Sequence, residues 1–138
     1  MAEAVILDSE AVYALAQPKQ RGVLATRARN VLRIALERQA VIRVPAPVLG
    51  EVCRGSRFDA AIDHLLNGRG IAVADLTRPI AQRAGALLND ARLSSEHAVD
   101  AFVAATALDF EASVIITGDL HDFKRLLARH PNVHVFGL

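Results

Sequence analysis

The stretch HAVDAFVAATALDFEASVIITGDLHDF, residues 97–123, decides the fold. Its first half is apolar on nearly every face at helical spacing, and in a globular chain such a helix is buried all round. SVIIT (Ser113–Thr117) is a compact β-branched run, the pattern of a strand covered on both faces. Gly118 lets the chain turn sharply, and HDFKRLLARH resumes the helical pattern. Buried helix, buried strand and helix in succession are the unit of an α/β protein with a parallel sheet.

The same alternation extends in both directions. Downstream, VHVF reads as a last short strand. Upstream, Ser94 or Ser95 opens the buried helix. Before it, Thr77 is a good N-cap, with Pro79 just inside a helix running to about Arg92. IAVADL (residues 71–76) predicts the third strand, preceded by a turn at Asn67–Gly70 and a helix over Arg57–Leu66. VIRVP (Val41–Pro45) predicts the second strand, after which Pro47 fits the first turn of a helix through VLGEVCR. A long helix spans about Gly22 to Gln39. Its apolar stripe is Val23, Leu24, Ala28, Val31, Leu32, Ala35 and Leu36, with Arg27, Arg29, Arg33, Glu37 and Arg38 opposite. AVIL (Ala4–Leu7) is the first strand, and SEAVYALAQ is a short helix that stops before Pro18. These elements predict a parallel or mostly parallel sheet with helices on both faces.

The 138 residues fit one domain, 1–138, with no repeat, low-complexity tract or linker. Apolar residues make up 52% and charged residues 22%, which excludes a disordered tail or a coiled coil. Aromatics are only 4%, so the core is expected to be Ala, Val, Leu and Ile, and a base-stacking platform is excluded. The single cysteine, Cys53, leaves no disulfide or thiolate metal site within the chain, and its expected role is a small buried hydrophobe. The start MAEAVILDSE has no basic segment and no long apolar run, and no membrane span is present, so a cytoplasmic protein is expected. Net charge is +1, yet fourteen of the sixteen basic residues are Arg, whose planar fork suits phosphate, although codon bias would enrich Arg equally.

In open α/β sheets ligands bind beyond the carboxyl ends of the strands, and this selects among the acids. Asp8 follows the first strand directly and is either an N-cap or a crevice residue; the two roles can coexist. Asp119 follows the fourth strand in the same way, and Asp122, nearer the start of KRLLA, is the better cap candidate. Asp100 sits in the apolar helix, where an ionised carboxylate costs several kcal/mol unless a metal ion or an Arg pairs with it. Glu51, on a short apolar helix, is unremarkable alone and gains weight through the other three. His97, one turn before Asp100, either contacts substrate or caps and fills space. The second is favoured, because no other His stands at ligand spacing.

Carboxylates brought together repel one another unless a cation neutralises them. Oxygen-only ligands suit hard ions, chiefly Mg²⁺ or Mn²⁺. Such an ion lowers the pKa of a bound water and clamps phosphodiester oxygens, a combination that favours phosphodiester hydrolysis.

The order VILDSEAVYAL, VPAPVLGEV, HAVDAFVAATAL and VIITGDLHDF resembles the PIN domain across essentially the whole chain, in particular the VapC-type toxins of bacterial toxin–antitoxin pairs. The resemblance implies a three-layer α/β/α sandwich and a Mg²⁺-dependent endoribonuclease that cuts structured RNA such as tRNA or rRNA and inhibits translation. By the same resemblance Asp8 and Asp100 are the principal metal ligands, Glu51 positions the metal or a water, and Asp119 is the fourth, more variable acid, with Thr117 nearby as a hydroxyl for water or phosphate. Asp122, at the DF position, is mainly structural or shares the role of Asp119. The mechanism expected is that Asp8, Asp100 and Asp119 hold one or two Mg²⁺ while Glu51 orients the attacking water. It further implies a homodimer and a cognate antitoxin docked over the helices between Ser9 and Gln39. One bound Mg²⁺ would move the charge from +1 to +3, and Arg21, Arg27, Arg54, Arg57 and Arg69 are candidate RNA contacts. Two rival readings stand beside this one. An aspartyl-phosphate phosphatase with Asp8 as nucleophile would want a second Asp where Glu10 stands and a well-placed Lys. A non-catalytic scaffold would bind a partner tightly and have no metal affinity.

Overall fold

Ala4–Leu7 are buried on both faces because they belong to the central strand of a sheet, β1 (Glu3–Leu7). The computed structural model describes residues 3–55, 57–68 and 70–138, without the side chain of Arg21; the expected RNA contacts at Arg21 and Arg69 therefore lie outside what is described. The other strands are β2 (Val41–Pro45), β3 (Ile71–Ala74), β4 (Ala112–Thr117) and β5 (Val133–Gly137). They pair in the order β3-β2-β1-β4-β5, parallel throughout. Helices α1 (Ser9–Ala16), α2 (Pro18–Arg21), α3 (Val23–Glu37), α4 (Ala46–Val52) and α5 (Asp59–Leu66) lie between β1 and β3, and α1 packs on the other four. Helices α6 (Arg78–Ala91), α7 (Ala98–Ala107) and α8 (Leu120–Leu126) form a second mutually packed group. The result is the expected α/β/α sandwich.

Its core is aliphatic, built from residues such as Ile6, Leu7, Ile42, Val44, Ile115 and Ile116, with Phe123 the one buried aromatic among the described residues. Burying each such side chain contributes about 1.5–3 kcal/mol. The topology also places the site. From β1 the chain moves outward to β2 and β3, then returns to the other side of β1 for β4. A crevice opens where the direction reverses, beyond the carboxyl ends of β1 and β4.

Several expectations needed correction. The buried face of α3 is centred on Ala25, Ala28, Leu32 and Ala35, and at about 100° per residue Val23 points away from it while Leu36 lies at its edge. Val23 (73% exposed) and Leu36 stand in solvent, while Ala25, Ala28, Leu32 and Ala35 face the core. β3 stops at Ala74 rather than Leu76 because its partner β2 ends at Pro45, opposite Ala74. α8 stops at Leu126, not His130, the chain turning there toward β5. Its cap is Asp119, whose carboxylate accepts the Asp122 N–H at 3.4 Å, so Asp122 is inside the helix rather than capping it. Cys53 is exposed, because α4 ends at Val52, which takes the buried place. Thr77 caps α6 as expected, accepting the Ile80 N–H at 3.4 Å. Among the described residues, no helix is long and apolar enough to cross a membrane.

Candidate active site

Asp8 continues the β1–β4 ladder by one step, its N–H donating to the Ile116 carbonyl (3.2 Å), before the chain turns into α1. Its carboxylate accepts the Ala11 N–H at 3.1 Å and so caps that helix. The side chain is 6% exposed. Burial drives its pKa up to about 6, against the opposing hydrogen bonds from the Thr117 hydroxyl and the Ala11 amide. Thr117 itself is fully buried and its Oγ also accepts the Asp119 N–H at 2.8 Å. That hydroxyl thus organises two acids from beneath and does not meet substrate.

Asp100 occupies the first turn of α7, where the helix emerges from the core, and it is half-buried rather than enclosed. Its pKa is also raised to about 6, first by burial and then by the negative charges of Asp119, Asp8, Glu51 and Asp122. Glu51 stands exposed on α4, tied to α1 by Ser9 Oγ donating to its Oε1 (2.5 Å) and by the Tyr13 hydroxyl reaching its carbonyl (3.3 Å). Asp119 is exposed at the start of α8.

All four acids line one open cleft of about 490 Å³, together with Ser9, Glu10, Leu24, Gly118 and Leu138. No Lys or Arg lines it among the described residues. Of the two partners that would offset a buried carboxylate, an Arg is therefore not supplied from the walls. The donors are carboxylate oxygens, the set that suits a hard divalent ion. Their spacing is loose: among the described residues, the group whose ligand atoms lie within 4.8 Å of one another is His97, Asp100 and Asp122. A Mg²⁺ ion keeps several of its waters and takes only one or two carboxylates directly, so the residues present fit it. A second hollow of about 330 Å³, between α3 and the amino ends of β1 and β4, is more apolar, and its Glu3 and Arg38 neutralise each other at 2.6 Å.

Sequence reasoning singled out Asp8, Glu51, Asp100 and Asp119 but passed over Ser9 and Glu10, which share the cleft. Their place in the first turn after Asp8 was the available signal. Arg27 is held by the Gly137 carbonyl (3.0 Å) and lies over the Phe136 ring; Arg54 and Arg57 are exposed. Gly118 is required by packing, since a Cβ there would stand 2.7 Å from Glu10 Cγ. Gly118→Ala should cost about 1–2 kcal/mol through this overlap. Adding Glu10→Ala should recover most of the loss in thermal melts; a double variant no better than the single one would place the strain elsewhere.

Fold and cleft together define the class: an α/β protein with carboxylates gathered at the switch point of a parallel sheet. More particularly, the chain belongs to the PIN domain family, which matches residues 5–127. Among solved structures it is similar to VapBC2 from Rickettsia felis, bound to a DNA fragment from its promoter, with 18% identity, 98% of each chain covered and a TM-score of 0.70. It is also similar to a toxin–antitoxin complex from Klebsiella pneumoniae, with 20% identity, 94% of each chain covered and a TM-score of 0.61. No curated protein matches the sequence.

Proposed function

We propose that this chain, as one nuclease domain over 1–138, is a VapC-type toxin: a Mg²⁺-dependent endoribonuclease that cuts structured RNA such as tRNA or rRNA and thereby inhibits translation. The observation that carries the reading is the convergence of Asp8, Glu51, Asp100 and Asp119 on one cleft, with no basic side chain in its walls among the described residues. Two of them, Asp8 and Asp100, are pushed up to about 6, first by burial and then by the neighbouring negative charges. Asp8, Asp100 and Asp119 would hold the ion. Bound there, Mg²⁺ supplies the positive charge that lets an anionic RNA enter an anionic cleft and polarises the scissile phosphate. Glu51, exposed and fixed through one oxygen by Ser9, would orient the attacking water and take its proton. Thr117 keeps Asp8 and Asp119 in register. Arg27, held at the Gly137 carbonyl and over Phe136, would steer the strand by its charge.

The likeness to chains from toxin–antitoxin complexes supports a cognate antitoxin as partner. So do the exposed apolar side chains Val23 and Ile34, which share the outer face of α3 and which such a partner, or a second copy in a cytoplasmic homodimer, would cover. The direct test is incubation of the purified chain with tRNA and rRNA. Cleavage is expected with Mg²⁺, should stop in excess EDTA and should be absent for Asp100→Asn with an unchanged circular dichroism spectrum. Cleavage that survives EDTA would remove the metal from the mechanism.

A further inference from the structure

Arg27 is exposed on α3, yet two contacts hold it in place. Its Nη2 donates to the Gly137 carbonyl at 3.0 Å, and its Cζ lies over the Phe136 ring, 5.5 Å from the centroid. Fixing so long a side chain at the surface gives up rotamer freedom. Among the described residues no carboxylate pairs with it. Arg27 therefore offers an uncompensated charge and, on the side away from Phe136, an open guanidinium face. The pair adjoins the acidic cleft through two elements. Leu24, which lines the cleft, stands three residues before Arg27, about 4.5 Å along the axis of α3. Leu138, which also lines it, continues the β4–β5 ladder, its N–H donating to the Thr117 carbonyl at 2.8 Å. It therefore projects to the same side as Phe136, two residues before it. Arg57 lies over a ring as well, 4.9 Å from the centroid of Phe58, but those two are chain neighbours and neither is among the described residues that line the cleft.

We infer that Arg27 and Phe136, joined to the cleft by Leu24 and Leu138, form a nucleobase subsite in which the base beside the scissile phosphate stacks on the guanidinium. The inference rests on the nuclease reading and deepens it, naming as substrate an RNA whose nucleotide next to the cut is unpaired. Splayed bases stack on guanidinium planes as they do on aromatic rings, and a plane already anchored to a carbonyl and backed by a ring loses little more on binding. The low aromatic content excludes an array of stacking rings, but this subsite needs only Phe136 as backing. Every base has a π-face, so the subsite selects for unpairing more than for sequence. The two leucines keep the path between platform and acids apolar, so the base rests there while its phosphate reaches the carboxylates.

The experiment uses the full chain carrying Glu51→Gln, which keeps the RNA whole, and a short single-stranded RNA with 2-aminopurine at successive positions, in Mg²⁺. Affinity is read by the anisotropy of an end label, and stacking by the quenching of 2-aminopurine. One position should be quenched. Arg27→Lys keeps the charge and a donor for the Gly137 carbonyl but removes the plane. It should relieve the quenching and weaken binding by about 10-fold, the scale of one base stack, with the thermal melt unchanged. Phe136→Leu should act in the same direction. Removing the base at the quenched position should cost the Glu51→Gln chain a similar factor and cost the chain with Arg27→Lys nothing further. Affinity untouched by Arg27→Lys, losses that simply add, or bound RNA with no position quenched would each overturn the subsite and leave the nuclease reading standing. A wild type that neither binds nor cleaves RNA would remove that reading and the subsite with it.

Discussion

Asp8→Asn should make the metal-free protein more stable at pH 7.5 while lowering RNA cleavage by about 10³-fold or more. The carboxyl is 6% exposed and its pKa is raised from 3.8 to about 6 by burial. A folded-state value above the unfolded one means that the folded chain holds the proton more tightly. The resulting destabilisation is absent below about pH 4, develops as pH rises toward 6 and is complete above it. A rise of that size corresponds to about 3 kcal/mol. Asparagine keeps the cap on α1, since its amide oxygen can accept the Ala11 N–H, and removes the buried charge. Imperfect pairing of the new amide reduces the gain to about 2 kcal/mol, or roughly 5–10 °C in Tm. The advantage should fade as pH falls to 4, and Mg²⁺ should raise the Tm of the wild type far more than that of the variant. The loss of cleavage has the scale of removing a group that stabilises transition-state charge. A variant less stable than wild type at pH 7.5, or one that still cleaves well, would contradict the account.

The same tension explains why the site was partly legible in the sequence. Asp8 and Asp119 could be picked out because the first directly follows a strand run and the second follows one after Gly118, and a residue just past a parallel strand is carried to the sheet's carboxyl edge by geometry alone. Asp100 was conspicuous as a charge in an apolar helix. Its half-burial was not legible, because the exit of α7 from the core depends on where the 3-10 turn at Ser95–His97 ends. Glu51 reaches the cleft through the bond from Ser9 across 42 residues, a contact between α1 and α4 that local pattern cannot carry. The early stop of β3 at Ala74 is set by the length of its neighbour β2, whereas Val23 is exposed by its phase on α3 relative to Ala25, Ala28, Leu32 and Ala35. Asp119 rather than Asp122 caps α8 because Thr117 fixes its backbone N–H, another contact invisible to propensity.

Thr117→Val should destabilise the protein by about 2 kcal/mol at neutral pH and move the acid limb of the cleavage profile upward by about 1 pH unit. The substitution conserves shape at a fully buried position, so packing is nearly unchanged. What disappears is one hydroxyl with two duties: it donates to the Asp8 carboxylate and accepts the Asp119 N–H at 2.8 Å. Hydrogen bonds to charged groups contribute about 1.5–3 kcal/mol, which sets both numbers, since one pKa unit is about 1.4 kcal/mol. The sign follows from the direction of the Thr117 bond, which lowers the Asp8 pKa; without it the value must rise above about 6. More of Asp8 is then protonated at neutral pH, and less is available to a cation. The destabilisation should be larger at pH 8 than at pH 4, where Asp8 is neutral in both proteins and the charged hydrogen bond is already absent. Thr117→Ser restores the hydroxyl and lacks only a methyl, so it should cost about 1 kcal/mol and leave the profile where the wild type has it. A serine variant that shifts the profile as far as valine does would show that the methyl, not the hydroxyl, holds the acids in place.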